Sequence, residues 1–287
     1  MKVLLSGSHG QLGRCFQDRL PAGWGIRATD RYELDITDLA QVNLIASTYL
    51  PDVIVNAAAY TAVDKAESEA EIAQAVNKNG TQNLAAVSVK LNVPFFHIST
   101  DYVFDGLATK PYSEDMPCFP KNVYGCTKLA GEIAALKINP NTVIIRTSWV
   151  FSEYGNNFVK TMLRLGYERQ ELEVVYDQRS CPTYAGDIAE VIIRMLKAQT
   201  IPRGIFHYCG DTVVSWYDFA KAIFFSAQVL GLYDYRVTLK PILTADYPTL
   251  ASRPIYSVLN TNKILALNLT PSIFKRQLKA VVKIVLS

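Results

Sequence analysis

Val3-Leu4-Leu5-Ser6-Gly7-Ser8-His9-Gly10-Gln11-Leu12-Gly13 is the stretch that decides the fold. A short apolar run meets three glycines at G-x-x-G-x-x-G spacing, and a helix-compatible segment follows. The pattern predicts a strand, a tight turn and a helix. Gly7 permits the turn, Gly10 lets the backbone approach a pyrophosphate, and Gly13 lets helix pack on strand. The open N–H groups and the dipole at the start of the helix favour a phosphate there. Gly-rich turns are common in any fold, so the strand–turn–helix context carries this reading. His9 reads as a loop residue.

Working outward, further short apolar runs lie near Ile26–Ala28 and at Val53–Val55, Phe95–Ile98 and Val143–Ile145. Each is flanked by turn or cap residues, as buried parallel strands are. Helical patterns fall between them at Leu39–Leu50, Glu69–Leu91 and Lys128–Lys137. This alternation predicts an α/β fold with a Rossmann-like, doubly wound parallel sheet. After Trp149 the pattern loosens. Helices are expected around Asn157–Leu165, Ala185–Leu196, Ser215–Leu230 and Ser272–Val285, with strands at Leu172–Tyr176, Ile205–Tyr208 and Tyr235–Leu239. The expected division is a cofactor-binding domain over 1–150 and a smaller C-terminal α/β substrate domain over 151–287. The two are interleaved, with parts of 170–210 completing the sheet. The longest irregular stretch, Asp105 to Val123, holds Pro111, Pro117 and Pro120 and is expected to be functional.

Composition excludes several classes. The 287 residues carry 29 basic and 26 acidic side chains, a net charge of +3 without a basic block, so nucleic acid is not an expected partner. No run reaches the roughly 18 apolar residues needed to span a bilayer, and no secretory leader is visible. Five dispersed cysteines without a C-x-x-C pair fit reduced thiols in the cytoplasm and no metal site.

Asp30 closes the second strand, where its carboxylate can accept from an adenosine 2′-hydroxyl. Arg31 beside it can pair with a 2′-phosphate. The alternative is that they are solvated charges at a strand end. The pair predicts use of both NADH and NADPH.

Tyr124 and Lys128 stand i, i+4 in Y-G-C-T-K-L-A-G-E, one turn apart on one helical face. The ammonium is expected to lower the tyrosine pKa, and the phenol to hand a proton to a carbonyl oxygen as hydride reaches the carbon. A lone Y-x-x-x-K is usually a solvated helix face. Its weight here comes from Ser99-Thr100-Asp101, which leave a buried strand at the edge facing the ligand crevice.

With these residues assembled, the chain resembles the extended short-chain dehydrogenase/reductase superfamily, and within it the dTDP-4-dehydrorhamnose reductase family. The matching stretches include L-D-I-T-D at 34–38, V-N-A-A-A-Y-T-A-V-D-K-A-E at 55–67, S-T-D-Y-V-F-D-G at 99–106, R-T-S-W-V-F at 146–151, D-Q-x-x-x-P-T-Y-A at 177–185 and S-W-Y-D-F-A at 215–220. The resemblance implies that Gln11, Leu12 and Gly13 contact the pyrophosphate and Asp30 the ribose. It implies that Asp35 and Ile36 lie near the adenine, and that Ala57, Ala58 and Ala59 form a small-residue wall beneath the cofactor. Tyr124 and Lys128 serve the nicotinamide ribose and catalysis, joined by Thr100. Asp101 and Trp149 line the substrate pocket, and Arg253 lies near the substrate phosphates. The implied reaction is NAD(P)H-dependent reduction of the C4 ketone of a dTDP-linked 4-keto-6-deoxy sugar to dTDP-L-rhamnose.

Three places depart from the family pattern: Leu267-Asn268-Leu269, where a glycine is usual after leucine; Ile273-Phe274, in an expected tryptophan region; and Arg179-Ser180-Cys181. The rivals are another nucleotide-sugar 4-ketoreductase or epimerase, and a non-catalytic NADP-binding regulatory subunit. A dehydratase needs a second carboxylate after the threonine, and Asp101 is followed instead by Tyr102. The Thr100, Tyr124, Lys128 set argues against a regulatory subunit. The oligomeric state stays open, a homodimer being compatible with the sequence.

Overall fold

The computed structural model describes residues 1–233 and 237–287. Its centre is a six-stranded parallel sheet formed by β1 (Lys2–Ser6), β2 (Gly25–Thr29), β3 (Val53–Asn56), β4 (Phe95–Thr100), β5 (Val143–Thr147) and β6 (Gly204–His207). The spatial order is β6-β5-β4-β3-β1-β2. All the runs expected as strands in the first half are strands, and the 205–208 segment adds the far edge by pairing with β5.

Why these runs are continuously apolar follows from the layers. Val3 and Leu5 face a core shared with Val55, Phe96 and Ile145, covered by helices α1 (Gln11–Asp18) and α6 (Ala185–Lys197). Leu4, Ile54 and Phe95 point the other way, into a core with Ala46 and Leu84. These come from α2 (Leu39–Tyr49) and α3 (Thr81–Leu91). A strand buried on both faces has no polar side to show.

The expected 69–91 helix is interrupted: Ala70–Gln74 leads through a π-helical segment, Ala75–Gly80, into α3. Within it, Asn77 bonds the backbone N–H and C=O of Tyr60 and the hydroxyl of Thr127. π-Bulges of this kind concentrate near functional sites. Helix α4 (Val123–Ile138) starts one turn earlier than the pattern indicated, because the Asn122 side chain caps it by accepting from Gly125 N–H.

A separate apolar cluster holds the second half together. It joins Phe151, Leu163, Phe219, Ile223, Phe274 and Leu278 from α5 (Phe158–Glu168), α7 (Trp216–Val229), α8 (Phe274–Leu286) and the connecting segments. Phe274, in place of the expected tryptophan region, packs edge-on against Phe151 and Phe219. Asn268 has φ +59°, the left-handed region that glycine adopts freely and asparagine tolerates, which explains why a glycine is usual there. Strands Glu171–Val175 and Thr238–Ile242 pair in parallel. The second begins later than the expected Tyr235–Leu239, whose residues 235–236 lie outside the described residues.

Among the described residues, no helix is long and apolar enough to cross a membrane, no group of three or more His, Cys, Asp or Glu is placed to hold a metal ion, and the five cysteines form no disulfide.

Candidate active site

The chain runs from β1 to β2 on one side and then to β3 on the other, so the switch point of the sheet lies between β1 and β3. Ligand crevices in open parallel sheets form beyond the carboxyl ends of the strands at that point. There the turn after β1 meets the turn after β3. A Cβ on Gly7, whose φ is +78°, would lie 2.5 Å from Ala58 N, and one on Gly13 would lie 2.1 Å from the Gly7 carbonyl oxygen. The fold itself therefore demands these two glycines. Gly10 differs, because a Cβ there would meet only the Gly7 oxygen at 3.4 Å. The space beside it belongs to a cleft of about 620 Å³.

That cleft gathers most of the residues singled out in the sequence. Gly10, Gln11, Leu12, Ala57 and Ala59 line one end; Thr100, Asp101, Tyr124, Lys128 and Trp149 line the other. Helix α1 begins at Gly10 without a side-chain cap, which leaves its first N–H groups for an anion. Two buried hydroxyls on the lining, Ser99 and Thr147, have no hydrogen-bond partner among the described residues. An uncapped helix start, an open Cβ position and two unanswered hydroxyls fit a bound dinucleotide with polar groups at both ends.

Gly7, Gly13, Asp30, Arg31, Asp35, Ile36 and Ala58 do not reach the lining. Asp30 accepts through Oδ1 from Tyr32 N–H (2.8 Å) and Glu33 N–H (3.0 Å), and its Oδ2 faces His9 Nδ1 at 3.2 Å. Those backbone bonds, Glu33 first, hold its carboxyl below the usual range. Arg31 is exposed, with its guanidinium over the Tyr32 ring. Asp35 turns back on Thr37, and Ile36 is buried beneath Gly80. Ala58 packs on the β1–β3 core. The Gln11 amide is engaged by Ser152, Asn157 and Val150.

Tyr124 sits edge-on to Tyr102 at the start of α4. Burial pushes its phenol up to about 12, the neighbouring Thr100 hydroxyl pulls it down, and the charge of Asp101 raises it further. This corrects the expectation that Lys128 lowers it. Lys128 Nζ instead donates to the Ile98 carbonyl at 2.6 Å and lies 3.4 Å from His97 Nε2. Burial brings the ammonium down to about 8. Tyr124 is thus protonated across the neutral range, the state a proton donor needs. Asp101 is buried and accepts from Ser257 (2.6 Å), Thr100 (3.1 Å) and Ser180 (3.4 Å). The divergent Arg179-Ser180-Cys181 segment thereby supplies a hydroxyl to this carboxyl.

Trp149 has φ +46°, an uncommon conformation for a bulky residue, and its indole stacks on Trp216 with centroids 3.5 Å apart and planes at 10°. Trp216, at the start of α7, was not singled out from sequence, although the S-W-Y-D-F-A motif contains it. It borders both the first cleft and a second of about 520 Å³. Arg253 lines the second, with Gln178, Tyr247 and Thr249. The 105–123 loop, expected to be functional, lines neither cleft. Tyr112 and Glu114 pin it through Val258 O, Asn260 N–H and His207 N–H at 2.7–2.9 Å.

The family model described as RmlD substrate binding domain matches residues 1–287. A dTDP-4-dehydrorhamnose reductase of Aggregatibacter actinomycetemcomitans is 46% identical over 285 residues, covering 97% of each chain. The crystal structure of a dTDP-4-dehydrorhamnose reductase from Clostridium acetobutylicum superposes with a TM-score of 0.94 at 38% identity, covering 100% of both chains. The Bacillus anthracis reductase in complex with NADP gives 0.92 at 36%, covering 98% of both. The chain belongs to the dTDP-4-dehydrorhamnose reductase family.

Proposed function

We propose that this protein reduces the C4 ketone of dTDP-4-dehydro-6-deoxy-L-mannose to dTDP-L-rhamnose, with Tyr124 as the proton donor. The observation that carries the reading is the convergence of Thr100, Tyr124 and Lys128 on the cleft that begins at the uncapped start of α1.

Gly10, Gln11 and Leu12 would hold the pyrophosphate of a nicotinamide dinucleotide, Ala57 and Ala59 would pack beneath it, and Asp30 and Arg31 would take the adenosine ribose. When bound, that group supplies the hydride. Asp30 would offer an acceptor to a 2′-hydroxyl and Arg31 a cation to a 2′-phosphate, so both NADPH and NADH would serve. The chain's own part is acid catalysis and positioning. The Tyr124 phenol donates to the ketone oxygen, Thr100 keeps its hydroxyl beside the phenol, and Lys128 holds a positive charge on the same cleft. The Trp149 face packs the apolar side of the deoxysugar. The nucleotide extends past Trp216 into the second cleft, where Arg253 meets its diphosphate. In this reading residues 1–150 carry the cofactor and most of 151–287 the substrate, with β6 returning to the first sheet.

The test is product analysis with NADPH, then NADH, against dTDP- and UDP-linked 4-keto-6-deoxy sugars. A product without the L-rhamno configuration, or faster turnover of the UDP sugar, defeats the substrate assignment. A preference for one cofactor beyond about 1000-fold, some 4 kcal/mol, defeats the dual-cofactor reading. Binding of NADPH without turnover of any sugar would favour the regulatory class.

A further inference from the structure

His97 lies buried in the middle of β4, and nothing in the reaction above uses it. Its Nδ1 is 3.2 Å from Asn56 Nδ2, and its Nε2 is 3.4 Å from Lys128 Nζ. The direction of the first contact is set by Asn56's other partners. Asn56 Oδ1 accepts from Ala58 N–H at 3.0 Å and from the Ser6 hydroxyl at 2.8 Å. A backbone N–H can only donate, so the amide oxygen belongs at Ala58 and the amide nitrogen at His97. Nδ2 also approaches the Thr81 hydroxyl oxygen, which is free to accept because its own hydrogen goes to Asn77 O.

A neutral imidazole that accepts at Nδ1 carries its hydrogen on Nε2. Burial, and the charge of Lys128, keep His97 neutral. The Nε2–H therefore meets Lys128 Nζ. An ammonium has three donors and no acceptor, so this contact sets donor against donor. A neutral amine would accept the same N–H.

Of the other groups around Lys128, the charge of Glu132 pulls the other way without outweighing burial. Tyr124 and Glu132 share its helix, and Glu132 is already bound by Arg146 of β5 at 2.6 Å. Of the segments packed on the helix, the π segment presents the neutral amide of Asn77. Asp64 is bound to Arg253, Glu67 to Val123 N–H, and Asp101 to Ser257.

We propose that His97, its tautomer fixed by Asn56, is a positioning residue that confines Lys128 to the Ile98 carbonyl and biases its ammonium toward releasing a proton. The proposal rests on the reading of Lys128 as catalytic. Once Tyr124 has given its proton to the product oxygen, a proton leaves Nζ and reaches the phenolate through water in the cleft the two residues share. The resulting amine accepts the His97 N–H until solvent protonates it again. The lowered Lys128 pKa is in keeping with this arrangement.

Two measurements test it. In ¹⁵N NMR of imidazole-labelled protein without ligands, His97 should be the neutral Nε2–H tautomer at pH 7; the Nδ1–H tautomer overturns the proposal. Asn56→Asp puts an acceptor opposite Nδ1, moves the hydrogen there and turns Nε2 into an acceptor for the ammonium. The alkaline limb of kcat/KM should then move up by at least about one pH unit, a tenfold change in proton affinity. If Asn56→Asp does not fold, His97→Gln, with an amide oxygen in reach of Nζ, should move the limb the same way. An unmoved limb in a folded variant overturns the proposal. Near wild-type turnover in Lys128→Met, with the Nε2–H tautomer intact, would instead defeat the catalytic reading of Lys128.

Discussion

Asp64 grips Arg253 at two points, Oδ2 to Nη2 at 2.6 Å and Oδ1 to Nη1 at 3.1 Å, and the same carboxylate takes the N–H of Ala251. The guanidinium that lines the second cleft is thus held by a helix turn 189 residues earlier in the chain. Fixing a long side chain before a ligand arrives lowers the ordering cost of binding.

Arg253→Ala should therefore weaken the nucleotide sugar and leave the cofactor alone. A charge-assisted hydrogen bond contributes roughly 1.5–3 kcal/mol, so KM for the sugar should rise about 10- to 100-fold. The NADPH dissociation constant should stay within threefold or so by the same reasoning, since Arg253 is absent from the first cleft. Steady-state kinetics with a fluorescence titration of NADPH separates the two, and an unchanged KM removes Arg253 from the substrate site.

Tyr124→Phe keeps the ring and removes the proton. Turnover should fall at least about 100-fold, while melting temperature and NADPH affinity stay near wild type. Because the phenol is pushed up to about 12, its own ionisation should not limit the rate between pH 6 and 9. A rate close to wild type in this variant would end the acid assignment.

The glycines of the first turn make a paired test. Gly13→Ala places a methyl 2.1 Å from a carbonyl oxygen and should destabilise the fold by several kcal/mol. Gly10→Ala meets nothing closer than 3.4 Å, so its melting temperature should hold while NADPH binding weakens about tenfold or more. Thermal melts beside cofactor titrations tell them apart, and a Gly10→Ala protein that binds normally would mean the pyrophosphate does not cross this turn.

Asp101 gives a pH signature. Burial raises its carboxyl to about 6, against the pull of the Ser257, Thr100 and Ser180 hydroxyls. Unfolded, it titrates near 3.9. A raised folded pKa means that the group's stabilising contribution is complete below about pH 4 and is lost as pH climbs through 6. Asp101→Asn cannot ionise, so its melting temperature relative to wild type should improve from pH 5 to pH 8. The difference is at most on the order of 2–3 kcal/mol at two pKa units. A constant offset across that range would show that Asp101 titrates normally.

The sheet was legible because its strands are short apolar runs between turns, and the first loop because Gly7 and Gly13 are required by close contacts within one motif. Contacts between distant segments were not. Ser257 meets Asp101 across 156 residues, and no local pattern announces it. The π segment at 75–80 was hidden inside an ordinary helical pattern, since Asn77 looks like any polar helix residue until Tyr60 and Thr127 close on it. His97, in an apolar strand, reads as a core histidine. The direction of the Tyr124 shift was misjudged because i, i+4 spacing gives the face of a side chain but not where its tip points, and the Lys128 tip has turned to Ile98.

Trp149 and Trp216 lie face to face at 3.5 Å, one carried by the strand end after β5 and the other by the first turn of α7, while Trp24 packs on a different core. Two indoles that close share their excited states, so the pair is a built-in optical gauge. Its near-ultraviolet circular dichroism reads the spacing between the sheet and the helical half directly, in unlabelled protein, and any ligand that slides between or beside the rings will rewrite that spectrum.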